Sequence, residues 1–353
     1  MLIRSLVFFF VLCSYSCDQE VNRTLGKRHV YIEGKKTKRI WDFERNIYRI
    51  LIASKTTGIK SLSNFELYND YQDPLLFRFG DGSFSKIIND ELVNILSNCN
   101  GKFVIPDKIM ASKIINEDSI LFYGFRSKKI YSISDSKCIS SVLDSGFAIS
   151  TIYRGFFTDS SFLYLDNDIN GNASFCLKAI RNKEKICRFR IDSLLGIKSH
   201  NKDNFQMIVD GNFYSSPESK FIIYKCFYSS DYFVFERNTA KFMFSGKTID
   251  STPLPVIEYK FLTPKYTEVV VKPETNYFRT SSVAGSKFYT YNFISSDGSQ
   301  YIDIYKIYNN RMIYEMSFQF DETLRSDPVV SISTKGKWLY TLFNSGKLCK
   351  YEL

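Results

Sequence analysis

Histidine is nearly absent from this chain: His29 and His200 are the only two in 353 residues. A multi-histidine metal centre within the body is therefore excluded. A Ser-His-Asp hydrolase would rest on His200 alone, and His200 stands in a polar stretch, 198–204, that reads as a solvated loop. Proline (8) and glycine (17) are too scarce for a collagen-like or proline-rich chain. No Cys-x-x-Cys pair occurs, which argues against structural zinc. The sequence contains neither a G-x-G-x-x-G fingerprint nor a G-x-S-x-G nucleophile elbow. Gly246-Lys247-Thr248 looks like the end of a phosphate-binding loop, but Lys241 occupies the place of its first glycine. No metal and no cofactor is expected.

Positive charge is present but unevenly placed. Of the formal net charge of +10, Arg4 contributes one and residues 17–40 contribute four, leaving +5 over residues 41–353. The body is only mildly basic and its Lys and Arg are scattered along the chain. Nucleic acid is not an expected partner.

Residues 1–16 read as a signal peptide. Arg4 is the basic start, and Leu6-Val-Phe-Phe-Phe-Val-Leu12 is an apolar core too short to span a bilayer. Cys13-Ser14-Tyr15-Ser16-Cys17 follows. A small residue directly before a cysteine, just after such a core, resembles the bacterial lipobox, and with Ser14 in place of the usual Leu it is similar to the looser lipoboxes of Bacteroidota lipoproteins. That resemblance implies cleavage before Cys17 and lipid attachment to its thiol; ordinary secretion with cleavage nearby is the alternative. Residues 17–40 read as a basic tether that lies against anionic headgroups or serves as a solvated linker. Asp18 and Glu20 leave the membrane leaflet open. No other stretch approaches the roughly 18 apolar residues of a membrane helix.

Export permits disulfides among Cys99, Cys138, Cys176, Cys187, Cys226 and Cys349. Their irregular spacing and apolar surroundings favour buried thiols, with Cys176–Cys187 as the most plausible bridge.

The body, residues 41–353, is rich in Phe (32 in the whole chain) and Tyr (24), which favour strands. Five runs repeat one pattern, a polar turn followed by a short apolar, aromatic stretch: Ser119-Ile-Leu-Phe-Tyr123, Ser161-Phe-Leu-Tyr-Leu165, Lys220-Phe-Ile-Ile-Tyr224, Lys287-Phe-Tyr-Thr-Tyr291 and Lys337-Trp-Leu-Tyr-Thr341. Most are followed by a turn and a second strand-like run, as at 129–133, 232–235, 301–307 and 348–351. Asn170-Gly171 and Asp297-Gly298 lie between such runs and suit tight hairpins. Residues 90–96 are a helical candidate, and 43–52 read as helix or strand. A repeat of about 55 residues built of hairpins predicts an all-β, six-bladed β-propeller of four-stranded antiparallel blades. A seven-bladed propeller and a pair of β-sandwich domains are the alternatives. The last strand, 347–352, is expected to close the ring by pairing with an N-terminal strand near 48–52.

Ser216-Pro-Glu-Ser-Lys-Phe-Ile222 and Ser333-Thr-Lys-Gly-Lys-Trp-Leu-Tyr340 resemble the SPDGK-type turn and strand of TolB-like propellers. Together with the lipobox, the chain resembles the TolB-like six-bladed propeller lipoproteins of Bacteroidota over residues 41–353. The resemblance carries no catalytic residues to this sequence.

Two chemistries come into question. Asp166, Asp168 and Asn170, followed by Gly171, match the start of a calcium loop, but the twelfth position is Leu177 rather than Glu, so a polar hairpin is the favoured reading. Two carboxylates at a propeller mouth could hydrolyse a glycoside, with Asp159, Asp210 and Glu258 as candidates near blade boundaries. Aromatic rings at one mouth could instead stack on sugars or grip a peptide, although most fill the seams between blades. The expectation is a monomeric, lipid-anchored envelope propeller, in the outer membrane, that binds a protein, peptide or glycan without catalysis. A carboxylate-based carbohydrate-active enzyme and a structural subunit of an envelope complex are the alternatives.

Overall fold

A computed structural model describes residues 31–32, 35–36, 47–51, 53, 55–58, 65–70, 73–78, 84–88, 91–95, 109–116, 119–124, 127–134, 140–144, 154–167, 173–180, 185–191, 209–249, 256–263, 266–272, 280–292, 300–321 and 327–353. Cys17, the Leu6–Leu12 run, His29, His200, Asp168 and Asn170 lie outside these residues, so the signal peptide and lipid site do too.

Hairpin chemistry repeated along the chain builds antiparallel meanders. Sheet A contains Phe65–Asp70, Asp73–Arg78, Phe84–Ile88 and Glu91–Ile95. Sheet B contains Ile109–Asn116, Ser119–Gly124, Lys129–Ser134 and Ser140–Asp144. Sheet C contains Arg154–Phe157, Ser161–Asn167, Ala173–Ala179 and Lys185–Arg190. Sheet D contains Gly211–Tyr214, Phe221–Cys226, Asp231–Glu236 and Phe242–Lys247. Sheet E contains Ser281–Ala284, Lys287–Asn292, Tyr301–Ile307 and Met312–Phe320, with Ile47–Leu51 added in parallel to the last. Sheet F contains Val329–Lys335, Trp338–Phe343 and Lys347–Glu352, completed by Lys55–Gly58. Two hairpins stand apart, Tyr31–Ile32 with Lys35–Lys36 inside the expected tether, and Val256–Thr263 with Tyr266–Lys272 between sheets D and E.

All five repeated runs are second strands of their sheets, because each pairs an apolar stretch with neighbours on both sides. The first strands touch in order, B on C, C on D, D on E, E on F and F on A. The protein is thus an all-β propeller of four-stranded antiparallel blades. The expected count of six such blades is corrected to five, A, B, C, D and F; the remaining large sheet, E, has five strands because Ile47–Leu51 adds to its outer edge. The seven-bladed alternative is not supported. The helical candidate at 90–96 is also corrected: Glu91–Ile95 is the outer strand of sheet A, paired from Phe84↔Ile95 to Ile88↔Glu91. Its two leucines four apart satisfy a helical spacing, but a helix of so few residues is marginal without tertiary support.

Terminal closure takes a shifted register. The strand Lys347–Glu352 pairs with Lys55–Gly58, with Cys349 opposite Thr56, whereas Ile47–Leu51, the expected partner, joins sheet E.

The core lies in the seams between sheets. Phe175 of sheet C meets Phe213, Tyr224, Phe233 and Phe235 of sheet D at ring-centroid distances of 4.9–6.0 Å. Tyr123, Tyr164, Tyr224 and Tyr291, near the ends of repeated runs in four sheets, are fully buried. Two of their hydroxyls are satisfied inside, Tyr224 by Val209 O at 2.8 Å and Tyr291 by Gln300 Oε1 at 2.5 Å. Burial holds both phenols well above their ordinary range. Gly211 has a steric reason: a Cβ there would lie 2.2 Å from the Lys225 carbonyl oxygen.

Cys176, Cys226 and Cys349 are buried and reduced. The Cys176–Cys187 bridge does not form: Cys176 faces Arg188 in register while Cys187 faces Leu177. A one-residue offset sends side chains to opposite faces of a sheet.

Candidate functional site: the upper face

In a four-stranded meander the first and third turns lie at one edge and the second turn at the other. Neighbouring sheets here run in the same sense. Arg154 Nε, at the start of sheet C, donates to Gly211 O at the start of sheet D, 2.8 Å away. Ile332 N donates to Thr280 Oγ1, and Thr334 N to Ser282 Oγ, so the first strands of E and F advance together. The first and third turns of these sheets therefore share one face, called upper here, and the second turns share the lower face.

The upper face carries a cleft of about 510 Å³ between sheets C and D. Asp159 comes from the first turn of C, Pro217, Glu218, Ser219 and Lys220 from the first turn of D, and Glu236, Arg237 and Asn238 from its third turn. The lining is polar and of mixed sign. Its walls are fixed by hydrogen bonds: the Arg237 guanidinium donates to Ser216 O, Thr239 Oγ1 donates to Glu236 Oε2 at 2.5 Å, and Ser219 N donates to Ser216 O at 3.0 Å. Pro217 to Lys220 of the turn noted in the sequence thus line the cleft.

Asp159 is held by sheet B. Lys113 Nζ lies 3.1 Å from its Oδ1 and 2.9 Å from Thr158 O. That hydrogen bond and charge hold the Asp159 carboxyl below its ordinary 3.8. A carboxyl shifted down is less suited to be a general acid, which must keep its proton near neutral pH. The shift contributes stability above the ordinary value, lost as pH falls below 3.8 towards the folded value; with the side chain 84% exposed, solvent keeps that contribution small. Lys113→Gln is expected to raise the Asp159 titration back towards 3.8 in a carbon-detected NMR titration; an unmoved midpoint would refute the coupling.

The sequence candidates do not converge. Asp210 sits at the lower end of sheet D, with Oδ1 3.5 Å from Arg154 Nε and accepting from Gly211 N at 2.9 Å. Asp159 is at the upper end of sheet C, so the two are separated by the length of a first strand. Glu258 lies opposite Val270 in the separate hairpin. Asp159 and Asp210 form no catalytic pair. Asp166 is buried within its strand and its Oδ2 faces the Cys176 thiol at 3.9 Å, a setting that belongs to the packed sheet and not to a cation loop. Among the described residues, no group of three or more His, Cys, Asp or Glu is placed to hold a metal ion, and no helix is long and apolar enough to cross a membrane.

Two aromatic–cation groups on the same face were not singled out from sequence. Lys350 Nζ lies 4.2 Å and Lys337 Nζ 5.0 Å from the Trp338 ring. Tyr308, 39% exposed in the third turn of sheet E, has Lys306 Nζ at 5.4 Å and Arg311 Cζ at 5.9 Å. The signal available was the run Lys335-Gly-Lys-Trp338, whose Gly336 takes a left-handed φ of +55° and turns both lysines to the upper edge.

No protein-family model and no curated protein matches the chain. Solved structures similar to it include BamB from Moraxella catarrhalis, at 11% identity and a TM-score of 0.40 over 86% of this chain and 100% of that one. Virginiamycin B lyase from Staphylococcus aureus aligns at 12% identity and a TM-score of 0.45 over 85% and 98%.

Proposed function

We propose that the protein is an exported, lipid-anchored propeller of the bacterial envelope that recognises a protein, peptide or glycan through its upper face, without catalysis. In this reading Cys17 carries the lipid, residues 17–40 tether the body to the outer membrane, and the body is a TolB-like propeller.

The observation that carries the recognition reading is the state of the cleft. Three of its five charged side chains are already engaged with the protein, Asp159 with Lys113, Glu236 with Thr239 and Arg237 with Ser216 O. Fixed polar groups present a preorganised surface, and preorganisation lowers the entropy lost on binding. The hydrolase alternative needs one carboxyl that keeps its proton and a second facing it across the bond. The depressed Asp159 and the distant Asp210 do not meet that need.

The reading is tested on peptide and glycan arrays with the intact protein. Lys220→Glu combined with Arg237→Glu on the upper face should abolish capture, and Lys347→Glu on the lower edge should leave it unchanged. Turnover of an array glycan that disappears on removing a cleft carboxylate would contradict the reading. For the anchor, Cys17→Ala is expected to release the protein from membranes and abolish labelling by a fatty-acid analogue. Undiminished labelling would refute lipidation at that residue.

A further inference from the structure

We propose that the upper edge of sheets E and F is a docking surface for an extended acidic segment of a partner protein; this rests on the upper-face recognition reading above and names its ligand class. The charge that is scattered in sequence is gathered here by the fold. Among the described side chains, Lys287, Lys306 and Arg311 of sheet E and Lys335, Lys337 and Lys350 of sheet F end at this edge, from turns and strand ends that the meanders bring together. The acids among them are Glu315, 3.9 Å from Lys287, and Glu352, 2.6 Å from Lys337. The edge is therefore net positive and complements an anionic ligand.

The rings give that charge a shape. Trp338 is flanked by two ammonium groups and Tyr308 by an ammonium and a guanidinium. A cation resting on an aromatic face is attracted by the ring's quadrupole. Such contacts restrict long side chains that would otherwise lose rotamer freedom on binding. Apolar surface lies between the charges: Ile313, 39% exposed, stands opposite Lys306 in the sheet, and Tyr308 shows a similar fraction. A ligand that alternates carboxylates with apolar side chains matches this order. A uniformly anionic bilayer fits less well, because Glu315 and Glu352 interrupt the basic edge and the cations lie over the rings that would have to insert.

Glu352 provides a discriminating variant. It now competes for Lys337, so a ligand carboxylate must displace it. The probe is a short fluorescent peptide of alternating Glu and Leu, titrated against the intact protein. Binding is expected, weakening as salt is raised, and falling about tenfold when Lys337→Gln and Lys350→Gln are combined. Glu352→Gln should tighten binding several-fold, a gain that mere loss of folding would not produce. Thermal melts confirm that each variant is folded. A matching peptide of Lys and Leu should not bind. Absence of binding, indifference to both charge variants, or binding to phosphatidylglycerol vesicles without binding to the peptide would overturn the proposal. Array ligands captured by the cleft while the acidic peptide fails would sink this inference alone; loss of every upper-face ligand would sink the recognition reading with it.

Discussion

Phe175→Ala is expected to lower the unfolding free energy by about 4 kcal/mol, the middle of the range for a buried aromatic truncated to alanine. Phe175 is fully buried and meets four rings of sheet D, with Phe235 at 4.9 Å, Tyr224 at 5.0 Å, Phe233 at 5.2 Å and Phe213 at 6.0 Å. All four contacts approach the edge-to-face arrangement that the ring quadrupole favours, at interplanar angles of 61–75°. All four belong to a neighbouring sheet, so the vacancy opens in a seam. Rigid sheets on both sides cannot collapse into it. Phe175→Leu keeps much of the volume and should cost about 1.5 kcal/mol. Equal losses for the two variants, measured by denaturant unfolding, would show that the ring contacts are not what hold C to D.

The second large effect concerns Asp303. A row of polar residues crosses sheet E, in register as Ser281, Thr290, Asp303 and Ser317. All are buried, and Asp303 and Ser317 are wholly so. Ser281 Oγ donates to Thr290 Oγ1 at 3.0 Å, Ser317 Oγ donates to Asp303 Oδ1 at 2.5 Å, and Tyr314 shares a hydrogen bond with Ser317 at 2.8 Å. Asp303→Ala removes the acceptor at the centre and leaves hydroxyls desolvated without it. A loss of about 3 kcal/mol is expected, against about 1 kcal/mol for Asp303→Asn, which still offers Ser317 an oxygen. Ser317 also lies opposite Ile47 in the parallel pairing. Amide exchange in Ile47–Leu51 should therefore accelerate in Asp303→Ala before exchange in the inner strands does. Unchanged exchange there would place the polar row outside the hold on the added strand.

What was legible in the sequence was the part governed by local chemistry. A polar turn followed by alternating aromatic and aliphatic residues marks a central strand, and all five such runs occupy the same position in their sheets. Sheet A escaped because its second strand, Asp73–Arg78, carries Pro74 and lacks the paired aromatics of the others. The uneven spacing has a physical cause as well: the hairpin formed by Val256–Thr263 and Tyr266–Lys272 is inserted between D and E and stretches one repeat. Closure was anticipated in kind but not in register, since either of two short N-terminal strands could meet the last strand and only tertiary packing chooses between them. The candidate site was less legible. Lys113, Arg154 and Arg237 come from different sheets, and their neighbours Asp159, Asp210 and Ser216 are set by how sheets stack. Asp159 and Asp210 looked equivalent as residues near boundaries; the direction of the first strands puts them on opposite faces.

The propeller is completed where the two ends of the body meet in sheet F. The register places Thr56 opposite the native Cys349, and partners across an antiparallel pair have Cα atoms about 4.5–5.5 Å apart, within reach of a disulfide. Thr56→Cys, oxidised under native conditions and mapped by mass spectrometry, should therefore give a single link from the introduced thiol to Cys349. A link to another cysteine, or a thiol that stays reduced in folded protein, would contradict the closure.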